Sequence, residues 1–81
     1  PGKVHYIVYR TTNLKTGYIY VGVHRTNDLD DGYLGSGKKL KKAVEFHGAE
    51  NFKRETLFTF DNEEDMFAKE AEIVNKAFVR R

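Results

Sequence analysis

The sequence predicts a small α+β domain, a three-stranded antiparallel β-sheet flanked by helices in the order β-β-α-β-α, and three observations carry that prediction. Residues 7–22, IVYRTTNLKTGYIYVG, hold two β-branched and aromatic runs joined by Asn13-Leu14-Lys15-Thr16-Gly17, which is a hairpin signal. Two later stretches, residues 36–47 and 61–78, change to helical spacing of their apolar residues. The chain has 81 residues, without a linker, an internal repeat or a low-complexity tract, so residues 1–81 form one domain with a small core.

The first strand runs from Val4 to Thr12 and the second from Tyr18 to His24. Alternate residues share a face, so Val4, Tyr6 and Val8 point one way with Ile19, Val21 and Val23, an apolar set that predicts the core side. The opposite face gathers His5, Tyr9, Tyr20 and His24 around Gly22, and a glycine inside a strand marks close approach by a ligand or another backbone. That face is the candidate site. Residues 25–35, RTNDLDDGYLG, are rich in Asn, Asp and Gly and predict a surface loop. In SGKKLKKAVEFH, residues 36–47, Leu40, Ala43, Val44 and His47 share one face and lysines fill the rest; Gly48 ends the helix. A third strand follows over residues 51–60, NFKRETLFTF, with imperfect alternation. Asp61 as N-cap and Glu64 at the third helical position then predict a capping box and a helix to about Phe78. Its apolar stripe contains Met66, Phe67, Ile73, Val74 and Ala77, and Glu70 falls inside it. A carboxylate in such a stripe is ion-paired, binds a cation or costs several kcal/mol to desolvate, and the wheel leaves these alternatives open.

Composition narrows the function. Cysteine is absent and His5, His24 and His47 lack ligand-like spacing, which sets structural zinc aside. No apolar run approaches a membrane span or a signal segment, so a protein of the reducing cytoplasm, without a membrane partner, is expected. The net charge is only +2, yet the cations cluster while most acids fall between Asp61 and Glu72, an asymmetry that suits an anionic partner.

Gly32 to Lys39 spells GxxxxGK, but Lys39 stands where a nucleotide-binding phosphate loop needs Ser or Thr, and the preceding residues are polar rather than a buried strand. The smaller inference is that Ser36, Lys38 and Lys39, at the entry to a helix, suit one phosphate group. Lys38, Lys39, Lys41 and Lys42 would give salt-sensitive binding to a nucleic-acid backbone or merely solubilise the helix. Lys53, Arg54, Arg80 and Arg81 are further cations that the sequence leaves unplaced.

Tyr9 in Ile7-Val8-Tyr9, the step of eleven residues to Tyr20-Val21-Gly22, the Gly-Ser-Gly entry to a helix, His47-Gly48 with Asn51-Phe52, and Glu70 in Lys69-Glu70-Ala71-Glu72 together resemble the GIY-YIG nuclease family. The resemblance is closest to phage members related to homing endonucleases, with Ile7 in place of the first motif's glycine. It implies an endonuclease acting on double-stranded DNA with one Mg²⁺ or Mn²⁺ ion, in a bacterial or phage-infected cell. Glu70 would hold the metal, Tyr9 would act as general base or orient water, and Tyr20 would position the nucleophile or phosphate beside Gly22. The family's arginine, on a helix after the second motif, has no counterpart; His24, with Arg25 second, is the expected substitute, as a phosphate contact or proton carrier. Lys38, Lys39 and Lys42, with Ser36, would contact DNA. The family's asparagine after the glutamate helix is also missing, which implies a catalytic domain shortened at its C-terminus and separated from any DNA-targeting domain. A non-catalytic nucleic-acid-binding module using the lysine helix is the alternative.

Overall fold

β1 (His5–Asn13) is the centre of the molecule. A computed structural model describes residues 3–35 and 37–77; Ser36, Arg80 and Arg81, and the expected helix end at Phe78, lie outside them. β1 pairs antiparallel with β2 (Ile19–Thr26) on one edge and with β3 (Phe52–Phe60) on the other, giving the strand order β2-β1-β3. Helix α1 (Lys38–His47) and a 3₁₀ turn at Ala49–Asn51 separate β2 from β3, and α2 (Glu63–Ala77) follows. The architecture is therefore α+β in the expected order β-β-α-β-α. Among the described residues no helix is long and apolar enough to cross a membrane.

The hairpin forms because Asn13 organises its own turn. The Asn13 side-chain oxygen accepts the N–H groups of Lys15 (2.9 Å) and Thr16 (3.3 Å), and Gly17 takes the left-handed backbone (φ 79°) that closes the loop. The polarity of Arg25 and Thr26 predicts loop, yet both belong to β2, where they pair with Tyr6 and His5. The β1–β3 register shifts between Val8 and Tyr9, with Val8 opposite Phe58 but Tyr9 opposite Thr56. Leu57 is thus a bulge residue, which explains the broken alternation of NFKRETLFTF.

The core differs from expectation in which face is covered. Val8 is fully buried as predicted, but so are Ile7 and Thr11 on the tyrosine face, where Tyr9 and Asn13 are also buried. A central strand is covered on both sides, and the polar loop 27–35 lies against the tyrosine face, the Thr11 hydroxyl donating to Leu34 O at 2.6 Å. Leu40 of α1, Phe52 of β3 and Met66 of α2 are also buried. Cross-strand Arg10 and Glu55 pair on the other face, and the guanidinium holds the Glu55 carboxyl below its usual range.

Both helices carry the predicted faces with one correction each to α2's start and stripe. In α1, Leu40 is buried and Ala43, Val44 and His47 are partly buried, while the lysines are exposed; Gly48 (φ 93°) donates its N–H to Val44 O and ends the helix. The cap of α2 is Asn62, not Asp61. Its Oδ1 accepts Asp65 N–H at 2.9 Å and its Nδ2 donates to the Asp65 carboxylate at 3.1 Å, a reciprocal pair that an aspartate, having no donor, cannot make. Phe67 is half exposed, whereas Met66 is buried and Lys69, Glu70, Ile73 and Val74 are partly buried.

Candidate active site

Antiparallel pairing sets Tyr9 opposite Gly22, Thr11 opposite Tyr20 and Ile7 opposite His24, so the face predicted from strand parity exists. Gly22 is there because the Tyr9 ring lies across it: a Cβ at that position would stand 2.5 Å from the Tyr9 hydroxyl and 2.8 Å from Cζ. Beside the ring, a cleft of about 610 Å³ runs along β2. Tyr9, Tyr20, Gly22, Lys38, Lys39 and Glu70 all line it, and it also exposes Val21 and Val23, residues of the opposite parity. It therefore follows the free edge of the sheet and is open to a large ligand.

Glu70 is half buried on α2, and among the described residues no Lys or Arg pairs with it. The ion pair that the helical wheel left open is therefore not formed there. Among the described residues no group of three or more His, Cys, Asp and Glu side chains gathers to hold a metal. A single carboxylate facing an open cleft fits a hydrated hard cation, which keeps several waters and takes one or two carboxylates.

Burial pushes the Tyr9 phenol up to about 12, with contributions from Tyr33 and Glu70 and opposition from Arg54. The hydroxyl is thus a proton donor at neutral pH. Burial and the neighbouring Tyr18 also raise Tyr20, and the two rings meet edge to face at 4.9 Å.

His24 and Arg25 are placed elsewhere. Both line a separate recess with Thr26, Asn27 and Asp31. His24 keeps the Tyr9 face and stacks on Tyr33 with centroids 3.8 Å apart and planes at 8°. Arg25, opposite Tyr6, is exposed on the other face. Lys42 is exposed on α1 and does not line the cleft, and Ser36 lies outside the described residues.

Sequence reasoning missed Asp31, Tyr33 and Arg54. Asp31 accepts from Tyr33 N–H (3.0 Å), His24 Nε2 (2.8 Å), the Thr26 hydroxyl (2.8 Å) and Arg54 Nη1 (3.1 Å). These partners, the Tyr33 N–H first, hold its carboxyl well below the usual carboxylate range. The local signal was only the Asp-rich loop itself; nothing near Arg54 points back 23 residues to Asp31.

No family model matches the chain, and no solved structure matches it. It is similar to proteins of Enterobacteria phage T4. It is 46% identical over 79 residues to "Putative endonuclease segD", covering 98% of this chain and 35% of that protein. It is 49% identical over 76 residues to "Putative endonuclease segB", covering 94% and 34%, and 46% identical over 50 residues to "Endonuclease segA", covering 62% and 23%. The chain spans about a third of the length of the first two relatives.

Proposed function

We propose that this chain is the catalytic domain of a divalent-metal-dependent endonuclease of GIY-YIG type, which hydrolyses phosphodiester bonds of double-stranded DNA. The observation that carries the reading is the meeting of Tyr9, Tyr20 and Glu70, the last without an ion pair among the described residues, from three different elements in one open cleft rimmed by Lys38 and Lys39. Similarity to phage proteins named endonucleases supports it. On this reading the protein acts inside a phage-infected bacterium.

Glu70 would hold the cation, Mg²⁺ or Mn²⁺, which when bound stabilises charge on a phosphate and makes water more acidic. Lys38 and Lys39 would bring the DNA backbone to the cleft, with Lys42 as an outer contact. Tyr20 would orient the phosphate or the attacking water. Tyr9, raised to about 12, suits water orientation through its hydroxyl better than unaided proton abstraction near neutral pH. His24, aligned by Asp31, and Arg25 would serve phosphates at the neighbouring recess.

Supercoiled plasmid incubated with Mg²⁺ tests the proposal. Nicking is expected from the parent and is expected to fall at least about a hundredfold in Glu70→Ala and in Tyr9→Phe. Variants that nick as fast as the parent would overturn these roles. The exposed lysines of α1 favour one second reading, a non-catalytic nucleic-acid-binding module, which predicts DNA binding with no nicking by the parent.

A further inference from the structure

Tyr9 is enclosed by Gly22, Gly35 and Tyr33. Gly22 is its floor, and the Tyr33 ring meets it edge-on, with centroids 5.9 Å apart and planes at 90°. Tyr33 belongs to a loop without regular structure, yet every handle on it is fixed. Its N–H donates to Asp31 Oδ1 (3.0 Å), its carbonyl accepts from Arg54 Nη1 (2.9 Å), and its ring stacks on His24. Arg54 of β3 also donates to Asp31 Oδ1 (3.1 Å) and Leu29 O (2.6 Å), and its side chain is only 9% exposed. A guanidinium withdrawn from water and spread over a carboxylate and two carbonyls holds its partners in a set geometry. The other Asp31 oxygen takes Thr26 and His24 of β2, so one carboxylate ties β2, β3 and the loop together.

We propose that Tyr33 is a positioning residue for Tyr9, held over it by an Asp31–Arg54 latch that fixes loop 27–35 to the sheet. The claim rests on the nuclease reading for its consequence but on the packing for its substance. A phenol that orients water must be held in direction as well as place, because a misplacement of about 1 Å can cost a hundredfold in rate. Gly22 and Gly35 both approach the hydroxyl closely but have no side chain to direct it, and the cleft side is open. Tyr33 supplies the side-chain wall.

Steady-state plasmid nicking by Tyr33→Leu, Tyr33→Phe and Arg54→Met tests it. Tyr33→Leu and Arg54→Met should each lower kcat about tenfold to a hundredfold, with KM within about twofold of the parent. Tyr33→Phe, which keeps the ring wall but loses the hydroxyl's hydrogen bond to Tyr9, should recover part of the rate. In a Tyr9→Phe background Tyr33→Leu should have no further effect, since a residue acting through Tyr9 cannot add to its loss. Additive losses, a parental kcat in Tyr33→Leu, or a change confined to KM would overturn the proposal. A second measurement does not need cleavage. Proton NMR of the parent should show nuclear Overhauser contacts between the Tyr9 and Tyr33 rings and upfield His24 ring protons, both lost in Arg54→Met. Their persistence in that variant overturns the latch. A parent that shows them but never nicks keeps the latch and counts against the nuclease reading alone.

Discussion

Tyr9 belongs to the core and to the candidate site at once. It is 5% exposed, and its hydroxyl reaches the cleft over a glycine. The unfolded-state phenol titrates near 10.0 and the folded one near 12 because burial disfavours the phenolate. The native state therefore keeps a proton that the unfolded chain releases in this window. The contribution of Tyr9 is complete below pH 10.0 and is lost as pH rises to about 12. Parent stability should thus fall relative to Tyr9→Phe by up to about 3 kcal/mol across that window, read from denaturant melts at a series of pH values. Parallel curves for the two proteins would contradict the burial argument. The same enclosure explains why phenylalanine is the informative substitution: alanine would empty part of a core built on few buried side chains.

At the scale of elements, α1 separates its duties by face. Leu40 is buried while Lys38, Lys39 and Lys42 are exposed, so these lysines contribute little to packing and are free to meet phosphates. If they do, the logarithm of DNA affinity against the logarithm of salt should lose about one unit of slope for each lysine replaced by alanine. An unchanged slope in a triple variant, measured by fluorescence anisotropy, would make α1 a solvated face. The contrast between the hairpin and the loop shows what the sequence could reveal. The grouping of Tyr9, Tyr20, Gly22 and His24 followed from a period of two, which pairing preserves whatever packs on top. The face of β1 more fully covered could not be read that way, because its cover is a loop with no periodicity, held by contacts between residues as distant as Asp31 and Arg54. Asn62 replaced Asp61 as the cap of α2 for a local reason, the amide's ability to donate as well as accept, and that was available in the sequence. The bulge at Leu57 was visible only as imperfect alternation.

At the scale of the molecule, the fold is a slab of 34 × 33 × 17 Å in which one central strand supports both the packing and the cleft. The β1–β2 hairpin and the distant helix α2 deliver Tyr9, Tyr20 and Glu70 to the same opening, and the polar loop 27–35 is fastened by Asp31 and Arg54. The net charge of +2 is too small to draw DNA by itself, so binding depends on where the cations stand and on what Glu70 holds. The most direct measurement is the anomalous difference map of a crystal soaked in Mn²⁺. A peak is expected in contact with the Glu70 carboxylate, within the cleft and facing the Tyr9 and Tyr20 hydroxyls, and absent from Glu70→Ala crystals. A cleft without a peak, or one in which a lysine or arginine has closed on Glu70, would contradict Glu70 as the metal ligand.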